Sequence, residues 1–189
     1  EGVHGGFLGI LAQRVHGATG GSVLVVTPTE QGARELLDDL RLFLPAGRAV
    51  LFPWLGTLPY AAGSRPLPAV LGERARVLAA LLAGEPLLVV APLRALLHPL
   101  PDPQYVSERL LRLRQGDPVD PVELAGRLSG LGYLRVPRVS LRGEFALRGE
   151  VADILPFGEG PAARLVLDVD RVSEIRLFDP ASQASTGRA

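Results

Sequence analysis

Three short, unbroken apolar runs set the limits on what this chain can fold into. Val23–Val26, Ala49–Phe52 and Leu87–Val90 are too short for helices and are rich in aliphatic and β-branched residues. Runs of this kind suit strands covered on both faces of a sheet. The stretches between them carry helical signals. Thr29 stands where it can cap a helix in which Ala33, Leu36, Leu37, Leu40 and Phe43 fall on one face. Val70–Ala83 is a Leu/Ala helix ended by Gly84, and Pro92–Leu97 opens a short one. Phe7–Val15 is an apolar helix that precedes a Gly-rich linker from Gly17 to Ser22. Strand and helix in alternation predict a parallel α/β sheet.

The pattern changes at Leu100-Pro-Asp-Pro103. Beyond it, Val106–Arg114 reads as a strand. Asp120-Pro121-Val122-Glu123 is a helix start, with Asp as N-cap, Pro at the first helical position and Glu at the third. Short strands are expected at Tyr133–Val139, Phe145–Arg148, Val151–Leu155, Arg164–Val169 and Val172–Phe178. Arg142-Gly143 and Arg148-Gly149 read as turns, and Val169-Asp170-Arg171 as a hairpin. The expected organisation is an α/β unit over 1–100, an α+β unit over 101–178 and a frayed polar tail over 179–189.

Composition removes several chemistries. With 189 residues, 47% of them hydrophobic and 21% charged, the chain can bury a substantial core. It has no cysteine, hence no disulfide, thiolate metal site or thiol nucleophile. All 20 residues of the Lys+Arg total are arginine, which fits a GC-rich coding bias. Without lysine there is no Walker A ammonium and no Schiff-base amine. The formal net charge is +0, so no global field draws the chain to nucleic acid or membrane. No apolar run approaches the ~20 residues that span a bilayer, and a cytoplasmic setting is expected. The chain begins at Glu1 without a methionine, as expected of a trimmed segment.

Motif by motif, no complete catalytic site emerges. Gly2-Val3-His4-Gly5-Gly6-Phe7-Leu8-Gly9 lies directly before a helix, where a phosphate-binding loop would sit. Phe7 stands in place of its second glycine and Leu8 in place of its lysine, so Gly2, Gly5, Gly6 and Leu8 outline a degenerate nucleotide loop. Tight nucleotide binding and hydrolysis are not expected of it. His4, His16 and His98 lack ligand spacing, no G-x-S-x-G elbow occurs, and Asp38-Asp39 falls on the polar face of a helix. No catalytic residue, metal or cofactor is expected. Arg127, Arg135, Arg138, Arg142 and Arg148 share their segment with one acid, Glu144. Such a segment can pair with carboxylates or phosphates. Aromatic residues make up only 5% of the chain, so platforms for stacking bases are scarce.

Several stretches, in order, resemble one family. Phe52-Pro-Trp-Leu-Gly-Thr-Leu-Pro-Tyr60 is similar to the W-E-T-L-P-Y segment of the bacterial transcription-repair coupling factors, the Mfd family. Gly143-Glu-Phe-Ala-Leu-Arg-Gly-Glu-Val-Ala-Asp-Ile-Leu-Pro156 resembles their G-E-F-A-x-R-G-G-I-L-D-I-F-P. Val172-Ser-Glu-Ile-Arg-Leu-Phe-Asp-Pro-Ala-Ser-Gln183 resembles their I-E-S-I-R-x-F-D-x-x-S-Q. Leu87-Leu-Val-Val-Ala-Pro92 and Gly130-Leu-Gly-Tyr133 also fit.

The resemblance covers nearly the whole chain and implies a UvrB-like region. Its parts would be a helicase-like α/β domain with a degenerate P-loop and a small inserted α+β domain. It implies a non-catalytic UvrA-docking module, with RNA polymerase, DNA and the ATP-driven motor served by other regions of the full-length protein. The arginine of F-A-x-R-G corresponds to Arg148, and one at the start of the following strand to Arg164. Glu144 and Phe145 would shape the same surface. Where many members carry paired aromatics, this chain has Leu167 and Asp168. The alternatives are a UvrB-type fragment that binds damaged DNA and a residual nucleotide-binding domain. Against the former, Trp54–Ala69 is too short for UvrB's Tyr-rich hairpin.

Overall fold

The computed structural model describes residues 6–45, 47–57, 66–158 and 160–188. The chain divides into two compact units, Glu1–Glu108 and Arg109–Ala189.

In the first unit, α1 (Gly6–Thr19), β1 (Val23–Thr27), α2 (Glu30–Arg41), β2 (Ala49–Leu51), α3 (Pro68–Leu82) and β3 (Leu88–Pro92) follow one another. A 3₁₀ turn, Leu93–Leu96, and α4 (Pro103–Arg109) come next. The sheet is parallel throughout, in the order β1-β3-β2, with β3 buried along its whole length. Alternation along β3 divides the core. Leu88 and Val90 meet Ala12 of α1 and Ala33, Leu36, Leu37 and Leu40 of α2. Leu87, Val89 and Ala91 meet Val77 of α3 together with Val50 and Phe52. Thr29 caps α2 by accepting the Gly32 N–H at 3.0 Å.

Two expectations for this unit change. α1 continues into the segment read as a linker and ends at Thr19, leaving Gly20–Ser22 as the link. β1 is covered on one face only: Val25 packs under α1 and α2, whereas Leu24 and Val26 are exposed. The reason is geometric. A helix is about 10 Å wide and strands lie about 4.8 Å apart, so one helix shields roughly two strands. α3 lies over β2 and β3, and β1 is the edge beyond them.

The second unit is a six-stranded mixed sheet in the order β4-β5-β6-β7-β8-β9, preceded by α5 (Pro121–Gly130). Its strands are β4 (Leu134–Arg135), β5 (Glu144–Arg148), β6 (Val151–Leu155), β7 (Ala162–Asp168), β8 (Arg171–Phe178) and β9 (Ser185–Arg188). β4 and β5 are parallel and the remaining pairs antiparallel. α5 starts as its sequence dictates, with Asp120 Oδ1 accepting the N–H groups of Val122 and Glu123 at 2.8 Å each. Its Leu124 and Leu128 pack on Phe145, Ala152, Leu165, Leu167 and Val172 from one sheet face. At one end of the other face, Val139 closes over Ala146, Leu155, Ala162 and Phe178.

The register of this sheet rests on its turns. Gly143 has φ +83, and a Cβ there would overlap the Phe157 ring, which stacks on Tyr133 with centroids 4.5 Å apart. Only glycine fits both constraints.

Three segments depart from expectation. Residues 106–114 form no strand. α4 runs to Arg109, after which Leu111 and Leu113 pack on the core, and pairing to β8 begins with Gly116 and Val119. Alternating leucines therefore need a wall to pack on, not a ladder. Of Tyr133–Val139 only Leu134–Arg135 pairs as a strand; the Val136 N–H still donates to the Phe145 carbonyl at 2.9 Å, after which the chain leaves β5. Residues 179–189, expected to fray, include β9. Asp179 accepts the N–H groups of Ala181 and Ser182, and this turn returns the chain onto β8.

Candidate functional site

On the sheet face opposite α5, alternate positions of neighbouring strands bring charged side chains together. Asp153 of β6 is the register partner of Arg164 on β7, and Arg164 is the partner of Arg176 on β8. Arg148 ends β5 two residues past Ala146, which faces Asp153. The period of two places all four side chains on one face.

Asp153 is 0% exposed. A carboxylate so placed must be paired and hydrogen-bonded. Arg164 Nε donates to Asp153 Oδ1 at 2.6 Å and its Nη2 to Oδ2 at 3.0 Å, a bidentate fork. Arg148 Nη2 donates to Oδ2 at 2.5 Å. One carboxylate thus orients two guanidiniums. The Arg164 side chain is 23% exposed and that of Arg148 49%, so each keeps part of its fork toward solvent. Arg164 also lies over the Phe178 ring, 4.8 Å from its centroid. The bond to Asp153 holds the Arg164 guanidinium above its ordinary pKa, while Arg176 on the next strand works against this.

These side chains border a cleft of about 730 Å³, lined by Arg138, Arg148, Val151, Arg164, Val166, Arg176, Ser182 and Gln183. Gln183 adopts φ 62, and its amide donates to the carbonyls of Val139 and Pro180 at 3.2 and 2.7 Å. It thereby fixes one wall.

Of the residues singled out from sequence, Arg148 and Arg164 come together here. Glu144 and Phe145 do not join them. Phe145 is buried in the core under α5. Glu144 Oε2 accepts the N–H groups of Ser140 and Leu141 at 2.8 and 2.7 Å. Those bonds hold its carboxyl below the ordinary value near 4.5. Both side chains are buried: the alternation that sends Arg148 to one face sends Phe145 to the other, and Glu144 is occupied by its own loop. Gly2 and Gly5 lie outside the described residues. Gly6 opens α1, and Leu8 packs against the first-unit core.

The arginine-rich segment does not act as one patch either. Arg142 donates to the carbonyls of Pro156, Gly158 and Gly160, while Arg127 belongs to α5 and Arg135 to β4. Among the described residues there is no cluster of His, Asp and Glu that could hold a metal ion, and no helix long and apolar enough to cross a membrane. Sequence reading missed Asp153, Arg176 and Gln183, and had Arg138 only as a member of the arginine-rich segment. The available signal was charge at alternate positions of consecutive strands.

Residues 111–189 match the UvrB interaction domain family. Over 97% of its length the chain is 28% identical to the transcription-repair-coupling factor of Bacillus subtilis. Over 85% it is 31% identical to that of Haemophilus influenzae, and over 86% it is 26% identical to that of Borreliella burgdorferi. It spans 14–16% of the length of these relatives. The cleft lies wholly within the matched segment. The chain is therefore a relative of the bacterial transcription-repair-coupling factors, similar to a short stretch of them, and its second unit matches the UvrB interaction domain.

Proposed function

We propose that this chain is a non-catalytic docking module that recruits UvrA in transcription-coupled nucleotide excision repair. The observation that carries the reading is the Arg148–Asp153–Arg164 cluster, which holds two guanidiniums in a fixed arrangement at an open cleft. A preformed pair loses little side-chain entropy on binding, and planar forks match partner carboxylates. The match of residues 111–189 to the UvrB interaction domain family supports an interaction role for the segment that holds this cluster. The first unit is read as helicase-like with a degenerate P-loop. Its three-stranded parallel sheet and the absence of lysine support this, and it contributes no ATPase activity. RNA polymerase and DNA are engaged by parts of the longer relatives that this chain does not span.

The test is calorimetry or gel filtration of purified UvrA with the wild-type chain and with Arg148→Ala/Arg164→Ala. The wild type binds, and the folded double variant does not. Equal binding by both would remove the two anchors. Binding by neither, with both folded, would sink the docking reading.

A further inference from the structure

Among the described residues four arginines line the cleft, and two of these share the buried carboxylate. Arg176 Nη2 lies 2.5 Å from Glu174 Oε2, a neighbour on its own strand, and its side chain is 46% exposed. Arg138 donates to the Ala181 carbonyl at 3.0 Å, a neutral acceptor. Among the described residues, no carboxylate lies within ion-pair distance of Arg138. Arg164 and Arg176 stand directly opposite each other across β7 and β8, where like charges destabilise a sheet. Asp153 relieves only the Arg164 side. Cation density of this kind, set over a buried anion and open to solvent, is suited to an anionic ligand.

The lining also narrows the class of that ligand. Among the described residues it contains no aromatic ring on which a base could stack. The chain's net charge of +0 gives none of the long-range attraction that tracks a phosphate backbone. Ser182 and Gln183 form a polar wall that Asp179 and the Gln183 amide brace from behind. A short fixed cleft with planar donors and a polar wall fits carboxylates carried on a polypeptide.

We infer that the cleft receives an acidic segment of the partner protein, with Arg138 and Arg176 recognising it beside Arg148 and Arg164. This rests on the docking reading for the identity of the partner, and not for the chemistry of the cleft.

The test titrates the whole chain with a labelled tetraglutamate peptide at low salt, beside tetraglutamine and an octathymidine strand. Tetraglutamate binds and tetraglutamine does not. Arg138→Gln and Arg176→Gln each weaken tetraglutamate binding at least threefold, and together at least tenfold, with unchanged thermal melting. Undiminished tetraglutamate binding by the double variant overturns the inference. So does tighter binding of octathymidine that is lost in the same variant. UvrA, run in parallel, separates the two claims. Peptide binding without UvrA binding supports the acidic-segment cleft while removing UvrA as its partner. UvrA binding that needs Arg148 and Arg164 but ignores Arg138 and Arg176 sinks the inference and leaves docking intact.

Discussion

Among the described residues, the first unit buries the charge of Arg74 on α3; the second buries that of Asp153 on β6 and, within its own loop, that of Glu144. Arg74 donates to the carbonyls of Pro53 and Ala95 at 2.8 and 3.1 Å, and its guanidinium lies 3.9 Å from the Phe52 ring centre. Burial pushes it down to about 10, so it remains charged at neutral pH. All these partners belong to its own unit and lie at chain joints: the exit of β2 and the turn after β3. Asp153 instead directs its charge at two side chains that continue outward into a cleft. The same physical requirement, that a buried charge be satisfied, produces a clamp in one unit and a prepared surface in the other. What distinguishes them is whether the partners are backbone carbonyls, which end there, or guanidiniums, which keep spare donors.

The contrast breaks most readily at Arg74. Arg74→Ala leaves two carbonyls without their donor and a void against Phe52, and costs about 3 kcal/mol in urea unfolding of the first unit. Arg74→Met restores volume alone and recovers part of it. UvrA affinity stays unchanged while the unit is folded; a drop would mean that Arg74 is more than a clamp.

Next in size is Arg164→Ala, which weakens UvrA binding by about 2 kcal/mol, roughly 30-fold, by calorimetry. A loss confined to stability would make Arg164 a second Arg74. Asp153→Asn is smaller and more informative. It costs about 1–2 kcal/mol of stability, because both arginines can rehydrate from the cleft. It also raises the positive charge of the site. If Asp153 acts by holding its arginines in place, UvrA affinity falls; if it merely neutralises them, affinity rises.

The smallest effect is at Glu144. Its carboxyl is depressed in the folded state, so the stability it contributes is present above the unfolded value near 4.5 and is lost as pH falls through the lower folded value. Glu144→Gln keeps the shape and costs about 1 kcal/mol at neutral pH. The difference from wild type in urea unfolding vanishes in acid. A difference that persists unchanged at low pH would show that packing, and not the charge, holds the 140–141 loop.

How far the site was legible follows from where its parts lie. Arg148 and Arg164 are found by motif, and α5 and its Asp120 cap by local chemistry. Asp153 sits within one of the motifs but shows its role only when β6 pairs with β7. Arg176 and Arg138 lie in other segments of the chain, and no local rule ties them to Arg164. Phe145 and Glu144 lie close to Arg148 in sequence yet stand apart from the cleft for different reasons: Phe145 takes the opposite face, and Glu144, on the same face, is held by the 140–141 loop.

The alternation of the first unit, the caps at Thr29 and Asp120, the glycine turns and the absence of lysine and cysteine chemistry can all be read along the chain. Each follows from interactions among residues a few positions apart, or from composition. Tertiary structure alone decided that β1 is bare on one face, that the chain after Asp179 returns as β9, and that one buried carboxylate gathers arginines from two other strands. Those outcomes depend on strand order and register, which are fixed by packing between residues distant in the chain.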